Sequence, residues 1–312
     1  MAQPLETFRT LIDRNKRNSV ILIAVFMLFF IAVGYLIGWA WGGTDAFGVV
    51  VAVGAGTLAF ILTLASYYGG SSALLSMSSA RQIAKGDDPQ LFNVVEELSV
   101  AAGLPMPRVY LIDDSAMNAF ATGRDPAHAA VAITTGLREK LTREELQGVL
   151  AHELSHVRNY DIRYAMLMAV MVGVLVMLCD VFLRSLWYGG RGRRRSDSRD
   201  SGGGGAQIIL LILALVLAIV APILAKIIEM ALSRQREYMA DAGSVELTRN
   251  ARGLESALAK LSDDPEVLEV ANRATAPLYI VHPIKHFEDR ASSIFDSHPP
   301  IADRIRRLQS LE

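Results

Sequence analysis

The chain holds a single cysteine, Cys179, in 312 residues. An intramolecular disulfide is therefore excluded, which suits a catalytic part kept in a reducing cytoplasm. Net charge is nearly absent as well, at −1. Without an excess of positive charge there is no argument for a nucleic-acid partner, and none is expected. Charge is also missing locally. Ser19 to Trp41 carries none, and no charged residue stands between Asp45 and Arg81. With 52% apolar residues, the composition lies above that of an ordinary soluble protein, and the excess is concentrated in these runs.

Ser19–Trp41 and Phe47–Tyr68 are each long enough to cross the hydrocarbon core of a bilayer as a helix. The short link Gly42 to Asp45 makes them a tight hairpin. The first run is too long for the core of a cleaved signal peptide, and the second follows at once, so an uncleaved anchor is expected. Tyr35, Trp39, Trp41, Tyr67 and Tyr68 suit the aromatic belt at the membrane surface. Arg9, Arg14, Lys16 and Arg17 precede the first run, and Arg81 and Lys85 follow the second, whereas the link has no basic residue. The positive-inside rule puts the N-terminus and everything from residue 81 onward in the cytoplasm. Two later runs, Tyr164–Cys179 and Ala206–Ala225, are expected to cross too, giving four spans. If they cross, the Arg/Gly-rich loop between them (188–205) lies outside, against the charge rule; either the first hairpin overrides that rule or both runs dip in without crossing. Asp180 and Arg184, at i,i+4 spacing, could pair and ease burial.

His152-Glu153-Leu154-Ser155-His156 carries the chemistry. On a helix, histidines four residues apart share one face and can hold one metal ion, with the glutamate beside them as general base. The context is helical. Thr142 and Glu145 form a capping box, and Leu146, Val149, Leu150, Leu154 and Val157 recur at helical spacing. The plainer alternative is a solvated helix with two surface histidines, which the apolar stripe beside Glu153 disfavours.

Two histidines do not complete a catalytic zinc site; a third protein ligand is needed, with the fourth position left to water. Residues 157–163 contain no further histidine at the metzincin spacing. Glu237 and Asp241, four apart, lie on one face of a helix expected to continue the fourth apolar run. Glu237 can ligate; Asp241 can accept a hydrogen bond from a ligand histidine and fix its tautomer. Spacing alone leaves equally open that both merely pair with Arg234 or Arg236. If Glu237 ligates, the runs between it and His156 cross an even number of times.

Four segments then occur in a recognisable order: Asn118–Gly123, His152–Asp161, Ser233–Gly243 and Ser297–Ile305. Together they resemble the HtpX-type bacterial membrane zinc metalloproteases, relatives of the CAAX prenyl proteases, over essentially the whole chain. The resemblance implies a mainly α fold. It would be a multi-pass helical membrane anchor with a cytoplasmic zincin (gluzincin-like) α+β catalytic domain carrying a small β-sheet. The expected division is an N-terminal hairpin (1–80), a first catalytic part (81–163), two further hydrophobic segments (164–226) and a second catalytic part (227–312). The resemblance also implies one Zn2+ held by His152, His156 and Glu237, with Asp241 behind a histidine. His298 would face the transition state; its plainer reading is a turn histidine before Pro299-Pro300. The implied partners are polypeptides, above all misfolded or damaged membrane proteins, met at the cytoplasmic face of the inner membrane.

Met117–Thr122 and Ala129–Thr135 read as two strands around the turn Gly123–Pro126. In the resembled family the first is an edge strand that aligns substrate by backbone pairing, which makes Asn118, Ala119 and Phe120 the expected substrate contacts. Residues 91–104 and 244–262 read as helices, and 108–112 as a strand. Asp161 is expected only to cap or orient the end of the motif helix, and Arg304 to pair with an unspecified carboxylate. His128, His282 and His286 read as surface or turn residues. An intramembrane protease is disfavoured because charges crowd the motif from Arg143 to Asp161. A prenyl protease needs more spans than this chain has, and a silent scaffold has no need of Glu153.

Overall fold

The computed structural model describes residues 8–171, 173–174, 234–268, 278–280 and 299–311. Most of the two later apolar runs, Cys179, the Arg/Gly-rich loop, His282, His286 and His298 lie outside the described residues.

By compactness the chain divides into two units. One, formed by 20–66 and 170–228, contains most of α1 (Phe8–Gly42) and α2 (Asp45–Met77). Both helices are long and apolar enough to span a bilayer. They run antiparallel: Tyr35 lies against Gly48, and Thr63 against Met27. Leu22, Phe26, Phe30, Ala52 and Ala59 are buried, while Val20, Leu28, Val50, Val53 and Phe60 point outward. An apolar outer face of this kind is suited to lipid rather than water.

The other unit (1–19, 67–169 and 229–312) contains a sheet and the helix of the His-Glu motif. β1 (Arg81–Gln82), β2 (Arg108–Ile112), β3 (Ala119–Thr122) and β4 (Ala130–Thr134) form a mixed sheet in the order β1-β2-β4-β3. β2 runs parallel to β4, and the other pairs are antiparallel. The expected strands at 117–122 and 129–135 are therefore present but shorter. β3 is an edge strand. β1 has two residues and no periodicity, so the sequence does not betray it.

α3 (Pro89–Ala102) starts two residues before the expected helix. Asp88 caps it by accepting from Leu91 N–H, and Pro89 supplies a fixed φ at a position that needs no N–H. α4 (Thr135–Lys140) follows β4 directly. α5 (Arg143–Arg158) is the motif helix, and its capping box is complete. Thr142 Oγ1 accepts from Glu145 N–H at 3.3 Å, and Glu145 Oε2 accepts from Thr142 N–H at 2.8 Å. α6 (Arg234–Thr248) and α7 (Ala251–Asp263) divide the span expected as one helix over 244–262. The break is a Thr-Arg-Asn corner: Arg249 takes φ +54, and Asn250 caps α7 by accepting from Gly253 N–H. α8 (Ile301–Gln309) begins after the Pro299-Pro300 pair.

The core forms around α5, against α3, β3, α6 and α7. Leu146, Val149, Leu150, Leu154 and Val157 are all fully buried, as their spacing predicts. Two glycines set how closely the helices approach. A Cβ at Gly148 would stand 2.5 Å from the backbone nitrogen of Leu254 in α7. One at Gly243 in α6 would stand 2.4 Å from Ser155 Oγ in α5. Ser244 Oγ closes the same seam by donating to Gly148 O at 2.8 Å. This approach carries the acidic face of α6 to the histidines of α5.

Candidate active site

His152 and His156 extend from one face of α5, with ring planes nearly perpendicular at 87°. Their Nε2 atoms are 3.2 Å apart. Glu237, from the first turn of α6, brings Oε2 to 3.6 Å from His152 Nε2 and Oε1 to 3.6 Å from His156 Nε2. Ligand atoms about 2.0–2.2 Å from a tetrahedral ion lie roughly 3.3 Å from one another, so these separations suit one small divalent cation. The donor set, two neutral nitrogens and a carboxylate, is of the catalytic kind that leaves a position open.

Each imidazole is held from behind. His152 Nδ1 is 3.0 Å from Asp241 Oδ1, and His156 Nδ1 is 3.0 Å from Asp161 Oδ2. A carboxylate accepting from Nδ1 leaves the lone pair on Nε2, toward Glu237. Asp241 is in turn gripped by the fully buried Arg304 of α8, through Nε to Oδ2 at 3.0 Å and Nη2 to Oδ1 at 2.7 Å. Arg304 also donates from Nη1 to Ile280 O at 3.3 Å. The two-pronged geometry requires arginine rather than lysine.

The electrostatics favour a cation between the rings. Burial alone would lower the pKa of His156. The hydrogen bond to Asp161 and the charges of Glu237, Asp161 and Glu153 outweigh it and raise the pKa to about 9. His152 is raised too: burial and the Arg304 charge oppose this, but hydrogen bonds to Asp241 and Glu237 prevail. For Asp241, burial is outweighed by Arg304 and His152, which hold it down to about 2. Glu153, next to His152 and 2% exposed, adds to the same field.

The expected substrate contacts lie on and beside β3. Asn118 is buried; its Oδ1 accepts from Ala119 N–H at 3.1 Å, and its carbonyl accepts from Thr134 N–H at 3.0 Å. With that bond and the pairing register, Phe120 turns its backbone toward Ala132 in β4, whereas Ala119 and Ala121 face the outer edge. The Phe120 ring is in a second core cluster, edge-on to Tyr279 at 5.1 Å. On the outer edge, Ala119 O accepts from Ile280 N–H at 3.0 Å. His128 is half-exposed beside Asp125, as a turn residue should be.

Residues 85–312 match peptidase family M48. The chain belongs to peptidase family M48. Its relatives include the "Protease HtpX homolog" of Dictyoglomus thermophilum, 45% identical over 98% of this chain and 95% of the relative. The protein of that name from Ligilactobacillus salivarius is 42% identical over 96% and 98%. A crystal structure of S. mikatae Ste24p has a similar fold, with TM-score 0.50 and 20% identity. That match covers 89% of this chain and 62%, under two thirds, of the other. This M48 chain is thus a membrane-bound metalloprotease, and His152, His156 and Glu237 are the group among its described residues that could hold the metal.

Two features of the M48 site were not legible in sequence. Asp161, expected only to cap or orient the helix end, contacts His156 directly. It stands beyond the end of α5, past Tyr160 at φ +61, where helical periodicity no longer says which way a side chain points. Arg304 was expected to find a carboxylate, and the fold selects Asp241. The only available signal was a lone arginine on the inner face of a strongly amphipathic terminal helix.

Proposed function

We propose that this chain is a zinc endopeptidase of the bacterial inner membrane, with N-terminus and catalytic part in the cytoplasm, that cuts misfolded or damaged membrane proteins. The observation that carries the reading is the convergence of His152 Nε2, His156 Nε2 and the Glu237 carboxylate, with both Nδ1 atoms held by carboxylates behind them. Glutamate with two histidines suits zinc among common divalent ions, since calcium and magnesium prefer oxygen ligands.

A zinc ion held there supplies Lewis-acid chemistry, acidifying water and polarising a carbonyl. The protein's own residues would do the rest. Glu153 takes the proton of the attacking water on its carboxylate and returns it to the leaving amine. Burial at 2% exposure keeps bulk water from competing for that proton. β3 presents the outward backbone of Ala121 to an extended peptide, which would pair there as an added strand, the Ala119 carbonyl being taken by Ile280 N–H. Asn118, whose Oδ1 holds the Ala119 N–H, orders that edge, and its side chain is proposed as a further contact to substrate. His298 is proposed as the donor to the developing oxyanion, in keeping with the resembled family.

Glu153→Gln tests the mechanism. It keeps the shape of the side chain and removes the base. Peptide hydrolysis by the purified full chain should fall by at least about 100-fold, with metal content unchanged. Cleavage at the wild-type rate would remove Glu153 from the mechanism.

A further inference from the structure

Asn15 lies in the first turns of α1, in the same compact unit as the active site, and is 1% exposed. A buried amide must find partners. Its Nδ2 donates to Asn159 O at 2.9 Å and to Asp161 Oδ1 at 2.5 Å. Both acceptors stand at the end of the motif helix. Asn159 is the C-cap of α5, and its carbonyl is among those a helix end leaves without an intrahelical donor. The other oxygen of Asp161 holds His156 Nδ1. One carboxylate is therefore shared between α1 and an expected metal ligand.

The surroundings hold this arrangement in place. Between the two acceptors stands Tyr160 at φ +61, a conformation uncommon outside glycine. Its ring is covered by Lys16 Nζ at 4.5 Å and by the Arg163 guanidinium at 4.9 Å. One turn along α1, the buried Ser19 Oγ donates to Asn15 O at 2.9 Å. A carboxylate held through one oxygen can still swing about its side-chain torsions, but one held through both oxygens cannot. Without the Asn15 donor, Oδ1 would be left buried and unsatisfied unless the group rotates toward water. Rotation would draw Oδ2 away from His156.

We propose that Asn15 is a positioning residue of the metal site: by fixing the Asp161 carboxylate it aims His156 Nε2, so that the seating of the membrane-capable helix α1 sets how tightly the metal is held. This rests on the reading of His156 as a metal ligand. It makes the first turns of α1 part of the catalytic apparatus, and anything that unseats them would loosen the metal.

The full chain in detergent tests this with Asn15→Leu, of nearly the same shape, and Asn15→Ala in parallel, either sufficing. Asp161→Asn and the double variant complete the cycle, and Asp13→Ala, exposed on the same turn, is the control. Zinc affinity is read against a chelator, and ligand geometry from the visible spectrum of the cobalt-substituted protein. Loss of the Asn15 amide should weaken zinc by about 10-fold, shift the cobalt bands and lower kcat more than KM. Added to Asp161→Asn it should cost little more, because both act through one carboxylate. Wild-type affinity and spectrum in the Asn15 variants, or losses that simply add, would overturn the proposal. His156→Ala separates the two levels. If it keeps its metal, the reading of the site fails; if it loses metal while the Asn15 variants do not, only the present inference fails.

Discussion

At the scale of single residues, the site is a set of charges that are each costly alone and compatible together. Arg304 and His152 are wholly buried, and Asp241, which both contact, is nearly so. Removing one member leaves the others uncompensated, so substitutions here should act far beyond their size. Asp241→Asn keeps the shape but offers Arg304 and His152 a neutral amide. Zinc affinity should fall by about 10–100-fold, as measured by competition with a chelator. An unchanged affinity would show that His152 needs no orienting carboxylate. Legibility at this scale followed helical spacing. His152, Glu153 and His156 stand on one face of a well-marked helix, and Glu237 and Asp241 share a face by the same rule. Asp161 and Asn15 were hidden because their contacts cross 5 and 146 positions of chain at a helix end, where no period applies.

At the scale of elements, the site depends on how α5 is seated. Its apolar stripe was evident in the sequence because burial and helical period coincide. The break between α6 and α7 was not, because Thr248, Arg249 and Asn250 include neither glycine nor proline to mark the corner. Glu145 ties the start of α5 to α7: it completes the capping box, accepts from Ser256 Oγ at 2.6 Å and pairs with Lys260 at 2.7 Å. Burial alone would raise its pKa. These hydrogen bonds and the Lys260 charge overcome that and lower it from 4.5 to about 2. A carboxylate depressed in the folded state stabilises fully above its unfolded pKa and ceases to as pH falls through its folded one. Wild type should therefore melt above Glu145→Gln at pH 7, and the gap should close as the pH falls from about 4.5 toward 2. A gap independent of pH would mean that the charge of Glu145 contributes nothing to the joint.

At the scale of the whole molecule, an apolar hairpin and an acidic metal site share one short chain. The hairpin was the plainest feature of the sequence, since only length and missing charge were needed to see it. Its orientation rests on the basic residues that flank it. With Cys179 replaced by serine, a cysteine at Thr44 should react with a membrane-impermeant maleimide added to intact spheroplasts, and one at Lys85 only after lysis. The reverse pattern would place the catalytic part outside. A cysteine at Ser198 in the Arg/Gly-rich loop, labelled in the same way, should react from outside if the later runs cross.

These scales meet in the claim that α5 and α6 together build one three-ligand zinc site. The most direct measurement is the metal content of purified, full-length Glu237→Ala beside wild type, by elemental analysis after dialysis against metal-free buffer. Wild type should retain about one zinc ion per chain and the variant almost none, with the fold intact by circular dichroism. A variant that keeps the full complement of zinc and cleaves peptide at the wild-type rate would contradict it.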